Sequence, residues 1–392
     1  MDYLIYNMRP IRLAVAILAI VFCVFLIQAT ARIGFSRLLS KYALIANSIP
    51  AADEAVGLSP SDPDAHRTRA AVLNRLQMTR DASQSLELAT SLRYRDDYLW
   101  LELGNTREEL GDTAGALAAF DQAVRWAPYY AHTHWQRGNL LLRMGAYDHA
   151  FAELRTAAAA NRNYLPNLID LAWGVSREDL DTTKQLIQLT DDGERLILIR
   201  FLTSRKAFRD AFEVWSGSDS AKFPVLFNGG FEDQIALTEA PFGGWNLTPG
   251  QTKNKLAIDI SEKSGGTRSL QINFAGEWTP GTPLLSQTVI VQPNKSYRVF
   301  FSVMTKDLVT GGPPVFTVND AANNQLLGKS ENLPSETTPW LKSNFEFTTL
   351  ATSQAVVIRL QRNNCDSSPC PIFGTLWLDE ISIELNMNTK LK

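Results

Sequence analysis

Residues 97–130 read DYLWLELGNTREELGDTAGALAAFDQAVRWAPYY, and this stretch decides the fold of the first half of the chain. Gly104, Gly111 and Pro128 occupy positions 8, 15 and 32 of this 34-residue window. Shifting the window by one period in either direction places small residues at matching positions: Ala70, Ala82, Ala89, Gly138, Gly145, Ala150 and Ala157. A glycine can end one helix, and a proline stops the next. The repeat predicts antiparallel helix pairs that stack, because each pair leaves an apolar face for its neighbour to cover.

The pattern resembles the tetratricopeptide repeat, which forms an all-α solenoid. Three clear repeats are predicted at 63–96, 97–130 and 131–164, after a half repeat at 51–58. Beyond Pro166 the pattern degrades, and further helices without the small-residue code are predicted: 183–190, 194–203 and 206–215. Atypical terminal units often cap a solenoid. The helical domain is therefore expected at 32–220.

The resemblance implies a concave groove that binds a protein partner, lined by positions 2, 5, 9 and 12 of each first helix. The residues at these positions are Arg67, Asn74, Tyr98, Leu101, Asn105, His132, Trp135 and Asn139. Asn105 and Asn139 match the asparagines of the repeats that clamp a peptide carboxylate, but Leu101 and Trp135 stand where that clamp has lysines. A general protein-binding groove is therefore predicted, and a rigid spacer is the alternative.

Composition indicates a folded protein of more than one domain. The chain has 392 residues, of which 45% are hydrophobic and 20% charged, and its formal net charge is −3. This charge argues against bulk nucleic-acid binding, which needs a basic surface. Near residue 220 the composition shifts from Arg, Ala and Leu to Asn, Thr, Ser, Gly and Pro, and the periodicity becomes two. The second half is therefore predicted to be all-β.

An apolar run lies near the amino terminus. Leu13 to Ala31 is a stretch of 19 residues without a charged side chain, and a helix of this length crosses the roughly 30 Å hydrocarbon layer. A transmembrane signal anchor at 13–31, behind a cytoplasmic stub at 1–12, is the favoured interpretation. Two alternatives stay open: a cleaved signal peptide, because residues 29–31 have the A-x-A form, and a buried soluble helix.

The cysteines decide the expected orientation, because basic residues lie on both sides of the apolar run. Cys365 and Cys370 bracket an Asp-Ser-Ser-Pro loop, a spacing that suits a disulfide and hence an oxidising compartment. Two free thiols are the alternative. The amino terminus is therefore expected in the cytoplasm and the rest of the chain outside it, in the periplasm if the source is bacterial.

Strand patterns and short motifs mark the second half. Leu270, Ile272 and Phe274 alternate with polar residues, as half-buried strands require. The motifs in chain order are NGGFE at 228–232, GGTRSL at 265–270, PNKSY at 293–297, FEFT at 345–348 and GTLWLDEI at 374–381. Together they resemble the jelly-roll carbohydrate-binding modules with a galactose-binding-like sandwich. The resemblance implies a β-sandwich at 221–387, followed by a tail at 388–392.

The same resemblance implies a structural Ca²⁺. In the family, an acidic residue of the opening motif and an aspartate of the closing motif hold the ion, and Glu232 and Asp379 match those positions. Calcium prefers several oxygen ligands, including backbone carbonyls. The alternative is a pair of hydrogen-bonded carboxylates at the strand ends.

A glycan site needs a flat aromatic ring beside hydrogen-bonding groups. Trp278 and Trp340, both expected in loops, are the candidates for stacking. Trp278 is expected to be exposed because Gly276, Glu277 and Pro280 flank it. The candidates for hydrogen bonding are Gln271, Asn273, Arg359 and Gln361. The alternative is that each tryptophan plugs an end of the sandwich, an interpretation favoured for Trp377.

No motif for enzyme chemistry was found: the sequence contains no phosphate-cradling glycine loop, no H-E-x-x-H and no G-x-S-x-G. We therefore expect a membrane-anchored, non-enzymatic adaptor of the cell envelope, with a protein partner in the repeats and a polysaccharide on the sandwich, for instance during exopolysaccharide assembly or export. The alternative is a purely protein-binding scaffold. A glycan-processing enzyme ranks third.

Overall fold

The computed structural model describes residues 8–217, 226–233, 242–247, 255–366 and 368–386. The chain divides into two compact units, Met1–Leu168 and Ile169–Lys392. The expected domain boundary at 220, the tail at 388–392 and the first seven residues of the stub lie outside the described residues.

Helix α1, Met8–Ala46, contains the apolar run. Its segment Arg12–Ala46 is long and apolar enough to cross a membrane, and none of its apolar window is buried. The helix continues well past the predicted end of the span at residue 31. Its last turns pack on the repeats, where Ser36 donates a 2.7 Å hydrogen bond to the Ala55 carbonyl.

The predicted helix pairs are confirmed. Seven helices and a 3₁₀ turn follow α1 in the first unit: α2 Ile49–Leu58, α3 Pro63–Arg75, α4 Thr79–Leu92, α5 Asp97–Glu109, α6 Thr113–Trp126, α7 Ala131–Arg143, α8 Tyr147–Ala160 and the turn Arg162–Tyr164. Gly111 and Gly145 follow α5 and α7 with φ of +77°, a conformation that glycine adopts without steric cost. Gly104 lies against the ring of Phe120, so the position-8 glycine lets the two helices of a repeat approach closely.

We predict that Gly104→Ala destabilises the repeats by about 1–3 kcal/mol, because the added β-carbon would clash with the Phe120 ring. The matched control is Gly57→Ala in α2, where nothing lies within 4 Å of an added β-carbon. There alanine should stabilise the helix by about 0.5–1 kcal/mol. Urea unfolding followed by far-ultraviolet circular dichroism measures both. Equal effects from the two variants would contradict this account of close packing.

The terminal helices α9 Leu165–Val175, α10 Leu180–Ile187, α11 Asp192–Ser204 and α12 Phe208–Ser216 form near the predicted places. They were expected to cap the solenoid, but α10 to α12 group with the sandwich in the second unit. The reason is aromatic packing on the segments that open the sandwich. The rings of Trp215 and Phe227 lie 4.9 Å apart, and those of Phe212 and Phe242 lie 5.3 Å apart.

The sandwich has two five-stranded antiparallel sheets, as predicted for an all-β half. Sheet A has the order β1-β4-β9-β6-β7, and sheet B has the order β2-β3-β10-β5-β8. The strands are β1 Asn246–Leu247, β2 Lys255–Asp259, β3 Ser269–Ala275, β4 Leu285–Ile290, β5 Ser296–Thr310, β6 Pro314–Asp320, β7 Leu326–Lys329, β8 Glu336–Thr348, β9 Ala355–Arg362 and β10 Ile372–Leu385.

The core of the sandwich lies between the sheets and confirms the predicted alternation. Leu270, Ile272 and Phe274 of β3 enter the same buried cluster as Val356, Ile358 and Leu360 of β9. Because side chains alternate along a strand, the residues between them point to the outer faces. Each sheet therefore presents one outer face on which a binding site can form.

Candidate functional site

Trp278 is not the exposed platform that its neighbours in the sequence suggested. The side chain is only 2% exposed, and its ring stacks on Phe274 with a centroid distance of 5.4 Å. Its indole nitrogen donates to the Thr282 carbonyl. The expectation of exposure was wrong, because the segment folds back over the end of the core. In this conformation the ring cannot stack on a sugar.

Trp340 lies in strand β8 and not in a loop. It is half-buried beside an irregularity in the pairing of β5 with β8, between Val303/Leu341 and Thr305/Thr338. Its indole nitrogen is buried and has no hydrogen-bond partner among the described residues. The part of the ring that remains exposed belongs to sheet B.

The four predicted hydrogen-bonding residues do not form one site. Gln271 and Asn273 alternate with core residues of β3 in sheet B, whereas Arg359 and Gln361 alternate with core residues of β9 in sheet A. They therefore point away from opposite faces of the sandwich. The prediction of one joint site was wrong in this respect, because alternation identifies the outward residues of a strand but not the sheet to which the strand belongs.

On the outer face of sheet B, the polar side chains bond to one another. Asn273 donates to Gln271, Gln271 donates to Asp259, and Thr375 donates to Asn273. Trp377, which is buried as expected, donates from its indole nitrogen to Asp259 at 2.9 Å. Burial raises the pKa of Asp259, but hydrogen bonds from Ser261 and Trp377 outweigh it and lower the pKa to about 2. These groups are already satisfied by the protein.

On the outer face of sheet A, several polar side chains have no hydrogen-bond partner among the described residues. We call the following residues of β4, β6 and β9 the polar strip: Ser286, Thr288, Thr317, Arg359 and Gln361. Three of them fall in one row, since Ser286 pairs with Arg359 and Arg359 with Thr317. The Thr317 hydroxyl is buried and has no hydrogen-bond partner among the described residues.

Arg359 is the charged centre of the polar strip. It donates to the Asn324 side-chain oxygen at 2.7 Å, and burial lowers the pKa of its guanidinium. Other amides of this sheet and its loops bond to one another: Asn319 donates to the Asn324 carbonyl, and Asn363 donates to the side-chain oxygen of Asn332. Lys329 of β7 pairs in register with Thr317 of β6, and the Lys329 ammonium donates to the side-chain oxygen of Asn363 at 2.7 Å. The face thus offers donors and acceptors that suit sugar hydroxyls.

The predicted disulfide between Cys365 and Cys370 is confirmed, with 5.7 Å between the two α-carbons. Beside it lies Arg362, which the sequence analysis missed and which is 1% exposed. The guanidinium donates to the carbonyls of Gly312, Trp278 and Cys370 at 2.9–3.1 Å and to the Thr310 hydroxyl at 2.8 Å. A signal was available: Arg362 continues the inward-facing series of β9, where a charge has no place unless it is bonded.

Glu232 and Asp379 occupy the same end of the sandwich and are both hydrogen-bonded. Asp379 accepts from the backbone N–H groups of Ser264, Gly265 and Glu380 at 2.7–3.0 Å. Glu232 accepts from the amides of Thr267 and Arg268 and from the Thr267 hydroxyl. The Thr267 bonds hold the pKa of Glu232 below its usual value. Both carboxylates are thus hydrogen-bonded by the protein, as the alternative to a calcium site described.

A hard cation would need more oxygens than these two side chains supply. In the described residues, no group of three or more His, Cys, Asp or Glu side chains could hold a metal ion. Each carboxylate has part of its acceptor capacity left, since it accepts three hydrogen bonds and offers about four lone-pair sites. Backbone carbonyls would have to complete a calcium site.

Of the residues predicted to line the repeat groove, all but Leu101 are at least partly exposed. That side chain is 3% exposed and packs in the core with Phe120 and Leu140. Its expected place in the groove was therefore wrong. Arg67 forms an ion pair with Glu102 at 2.8 Å, and its guanidinium lies 4.5 Å from the centre of the Tyr98 ring.

The third repeat presents aromatic rings on the same helix positions. Trp135 stacks on Tyr164 with ring centroids 4.8 Å apart, and the Tyr164 hydroxyl lies 3.2 Å from Nδ1 of His132. Tyr164 was missed because it belongs to the 3₁₀ turn that follows the third repeat. Asn105 and Asn139 are half-buried at position 9 of their repeats. These side chains combine aromatic surface with amides, and aromatic residues are enriched in the buried centres of protein interfaces.

Comparison with known families agrees with both halves of this description. Residues 224–367 match the carbohydrate binding domain family. Residues 98–130 match the tetratricopeptide repeat family. The chain thus joins a repeat type associated with protein interaction to a domain type associated with carbohydrate binding, and both are non-catalytic domain types.

Individual relatives are distant. Protein FlbA of Caulobacter vibrioides is 28% identical over 98 residues, which are 25% of this chain and 16% of FlbA. The chain therefore spans only about a sixth of that relative. Among solved structures, pilF of Pseudomonas aeruginosa is 19% identical with a TM-score of 0.36, covering 48% of this chain and 91% of its own. A CBM4 structure is 12% identical with a TM-score of 0.31, covering 41% and 100%.

Proposed function

We propose that this protein is a membrane-anchored, non-enzymatic adaptor of the cell envelope. Its repeats bind a protein partner, and its sandwich binds a polysaccharide, for instance during exopolysaccharide assembly or export. The observation that carries the glycan half is the polar strip, a row of hydrogen-bonding side chains across three strands of a domain that matches a carbohydrate-binding family.

The contrast between the two outer faces supports the choice of sheet A. The amides of sheet B bond to Asp259, to Thr375 and to one another. Binding a sugar there would first break those bonds. On sheet A, by contrast, the partly exposed side chains of Ser286, Thr288 and Gln361 make no hydrogen bond with any described residue, so a sugar can bond them without first breaking one.

Replacing Arg359 with glutamine is expected to weaken polysaccharide binding at least tenfold, because the guanidinium is the strongest donor of the polar strip. The measurement is calorimetric titration of the detergent-solubilised full chain with a panel of soluble polysaccharides. The matched control is Gln271→Ala on the outer face of sheet B, which should leave the affinity within about twofold.

Two results would count against this assignment. If Gln271→Ala abolishes binding and Arg359→Gln does not, the glycan occupies sheet B. If no polymer of the panel binds the folded wild-type chain, the glycan half of the proposal fails. Phe373 and Val309, which pair in register and are 51% and 64% exposed, would then favour the purely protein-binding scaffold.

The membrane half of the proposal rests on α1, whose apolar window is not buried by the rest of the chain. We propose that the helix is an uncleaved anchor, since it continues without interruption into the repeats. The disulfide between Cys365 and Cys370 supports an extracytoplasmic location for the sandwich. The amino terminus would then lie in the cytoplasm.

A structural Ca²⁺ remains a proposal for the end of the sandwich that carries Glu232 and Asp379. Gly230 lies between them: a β-carbon there would be 3.8 Å from Cγ of Glu232 and 3.9 Å from Oδ1 of Asp379. Both carboxylates therefore flank one stretch of backbone. An ion bound there would tie the opening motif to strand β10.

A further inference from the structure

A small cavity opens between the first two repeats, in the groove proposed to bind a protein partner. Its volume is about 240 Å³, and it lies between helices α3, α4 and α5. Pockets for drug-sized ligands measure roughly 300–1,000 Å³. The cavity is therefore suited to one side chain and not to a whole ligand.

The cavity exists because of a departure from the repeat pattern. Position 9 is asparagine in the second and third repeats, Asn105 and Asn139, but alanine in the first, Ala71. Ala71 and Asn105 both line the cavity. The short side chain of Ala71 leaves open the volume that a third asparagine would fill.

The lining is acidic and contains an unused hydrogen-bonding atom. Asn74 donates from its side-chain nitrogen to the Thr106 hydroxyl at 3.0 Å, while its side-chain oxygen is buried and has no partner among the described residues. Glu102 and Glu109 supply the charged groups of the wall. The remaining lining residues, Ala70, Ala71, Leu86, Asn105 and Thr106, are uncharged.

The two carboxylates differ in how they are compensated. Glu102 accepts two hydrogen bonds from Arg67, at 2.8 and 3.1 Å. Glu109 makes no hydrogen bond or ion pair with any described residue. The neighbouring Glu108, in contrast, pairs with Arg143. The cavity lining therefore includes one carboxylate without an ion-pair partner among the described residues, and one buried acceptor oxygen.

We propose that this cavity binds a lysine or arginine side chain of the partner protein. A cationic group has donors for the Asn74 oxygen and a charge for Glu109, and its aliphatic stem fits against Ala70, Ala71 and Leu86. The cavity would thus select a positive charge, whereas a groove that holds a peptide carboxylate selects a negative one. The inference rests on the proposed protein-binding function of the groove and adds the chemistry of the partner.

The test is an immobilised library of acetylated and amidated nonapeptides, probed with the detergent-solubilised full chain. We expect the bound peptides to share a lysine or arginine at one position. For the tightest peptide, labelled and titrated by fluorescence anisotropy, replacing that residue with acetyl-lysine should weaken binding about tenfold or more. Binding should also weaken with added salt, because it depends on charge.

Two variants of the protein address the cavity directly. Ala71→Leu fills it and Glu109→Gln removes its uncompensated charge, and each should weaken binding of the same peptide about tenfold. The matched control is Glu108→Gln, which removes a neighbouring charge outside the cavity and should change the affinity less than twofold. Circular dichroism melts of all three variants establish that the repeats remain folded.

The possible failures are distinguishable. Peptides that bind without a common basic position, or whose binding is unaffected by both cavity variants, would overturn the cavity proposal and leave the groove as a protein-binding surface. A requirement for a free peptide carboxylate would overturn it as well. If the wild-type chain binds no peptide in the library, the protein-binding function of the groove fails together with the cavity proposal.

Discussion

Replacing Arg362 with methionine is expected to destabilise the sandwich by about 3–5 kcal/mol. The guanidinium is buried and joins three segments at one end of the domain through the carbonyls of Trp278, Gly312 and Cys370. Methionine keeps most of the apolar volume but donates to none of these oxygens. They would remain buried without partners, or the segments would separate to reach water.

Hydrogen exchange of β9 and β10 in the full chain, measured by mass spectrometry across a urea series, reports the loss directly. Arg298→Met is the matched control, since Arg298 is exposed and bonds Glu346 on the surface. Such surface pairs contribute about 0–1 kcal/mol. If the two variants lose equal stability while the disulfide stays intact, Arg362 does not hold these segments together.

Replacing Asp379 with alanine should also destabilise the sandwich by about 3–5 kcal/mol, because three backbone N–H groups lose a charged acceptor at once. Asp379 is 1% exposed, so water does not readily replace it. Two of the affected residues, Ser264 and Gly265, lie in the loop between β2 and β3, and the third, Glu380, lies in β10. We expect protection of β3 and β10 to fall together in the same hydrogen-exchange measurement.

Glu232→Ala is the control for Asp379→Ala, because the Glu232 carboxylate is open to solvent and water can take over its bonds. Its effect should be clearly smaller, and an effect as large as that of Asp379→Ala would contradict this account. Repeating both measurements in CaCl₂ and in EDTA tests the proposed ion. If it is bound, calcium raises the stability of the wild type more than that of Glu232→Ala; equal stability in both media refutes calcium binding.

The helical half was predictable because its code is local. Gly104 and Gly111 act on the helices that contain or precede them, so their spacing alone predicts where helices meet and end. Leu101 shows the limit of this reasoning. Its position number placed it in the groove, but Phe120 of the same repeat and Leu140 of the next repeat pack against it and bury it.

The candidate sites of the sandwich were harder to predict because they depend on contacts between distant segments. Alternation correctly separated inward from outward residues in β3 and β9. Alternation did not indicate which sheet each strand joins. Gln271 therefore lies on sheet B and Arg359 on sheet A, which the sequence could not show. Likewise, the exposure of Trp278 was predicted from its neighbours Gly276, Glu277 and Pro280. In the structure its ring stacks on Phe274, and its indole nitrogen donates to the carbonyl of Thr282.

Helix α1 has a mechanical consequence for the first unit. It is continuous from the apolar run to Ala46, and its last turns pack on α2 through Ser36 and Ala43. Residues 32–46 extend about 22 Å at 1.5 Å per residue. The half repeat is therefore joined to the apolar run by a rigid helix and not by a flexible linker. If α1 is anchored as proposed, a change in its tilt in the bilayer reorients the repeats that pack on it. The tilt of the anchor therefore determines the direction from which a partner can reach the groove.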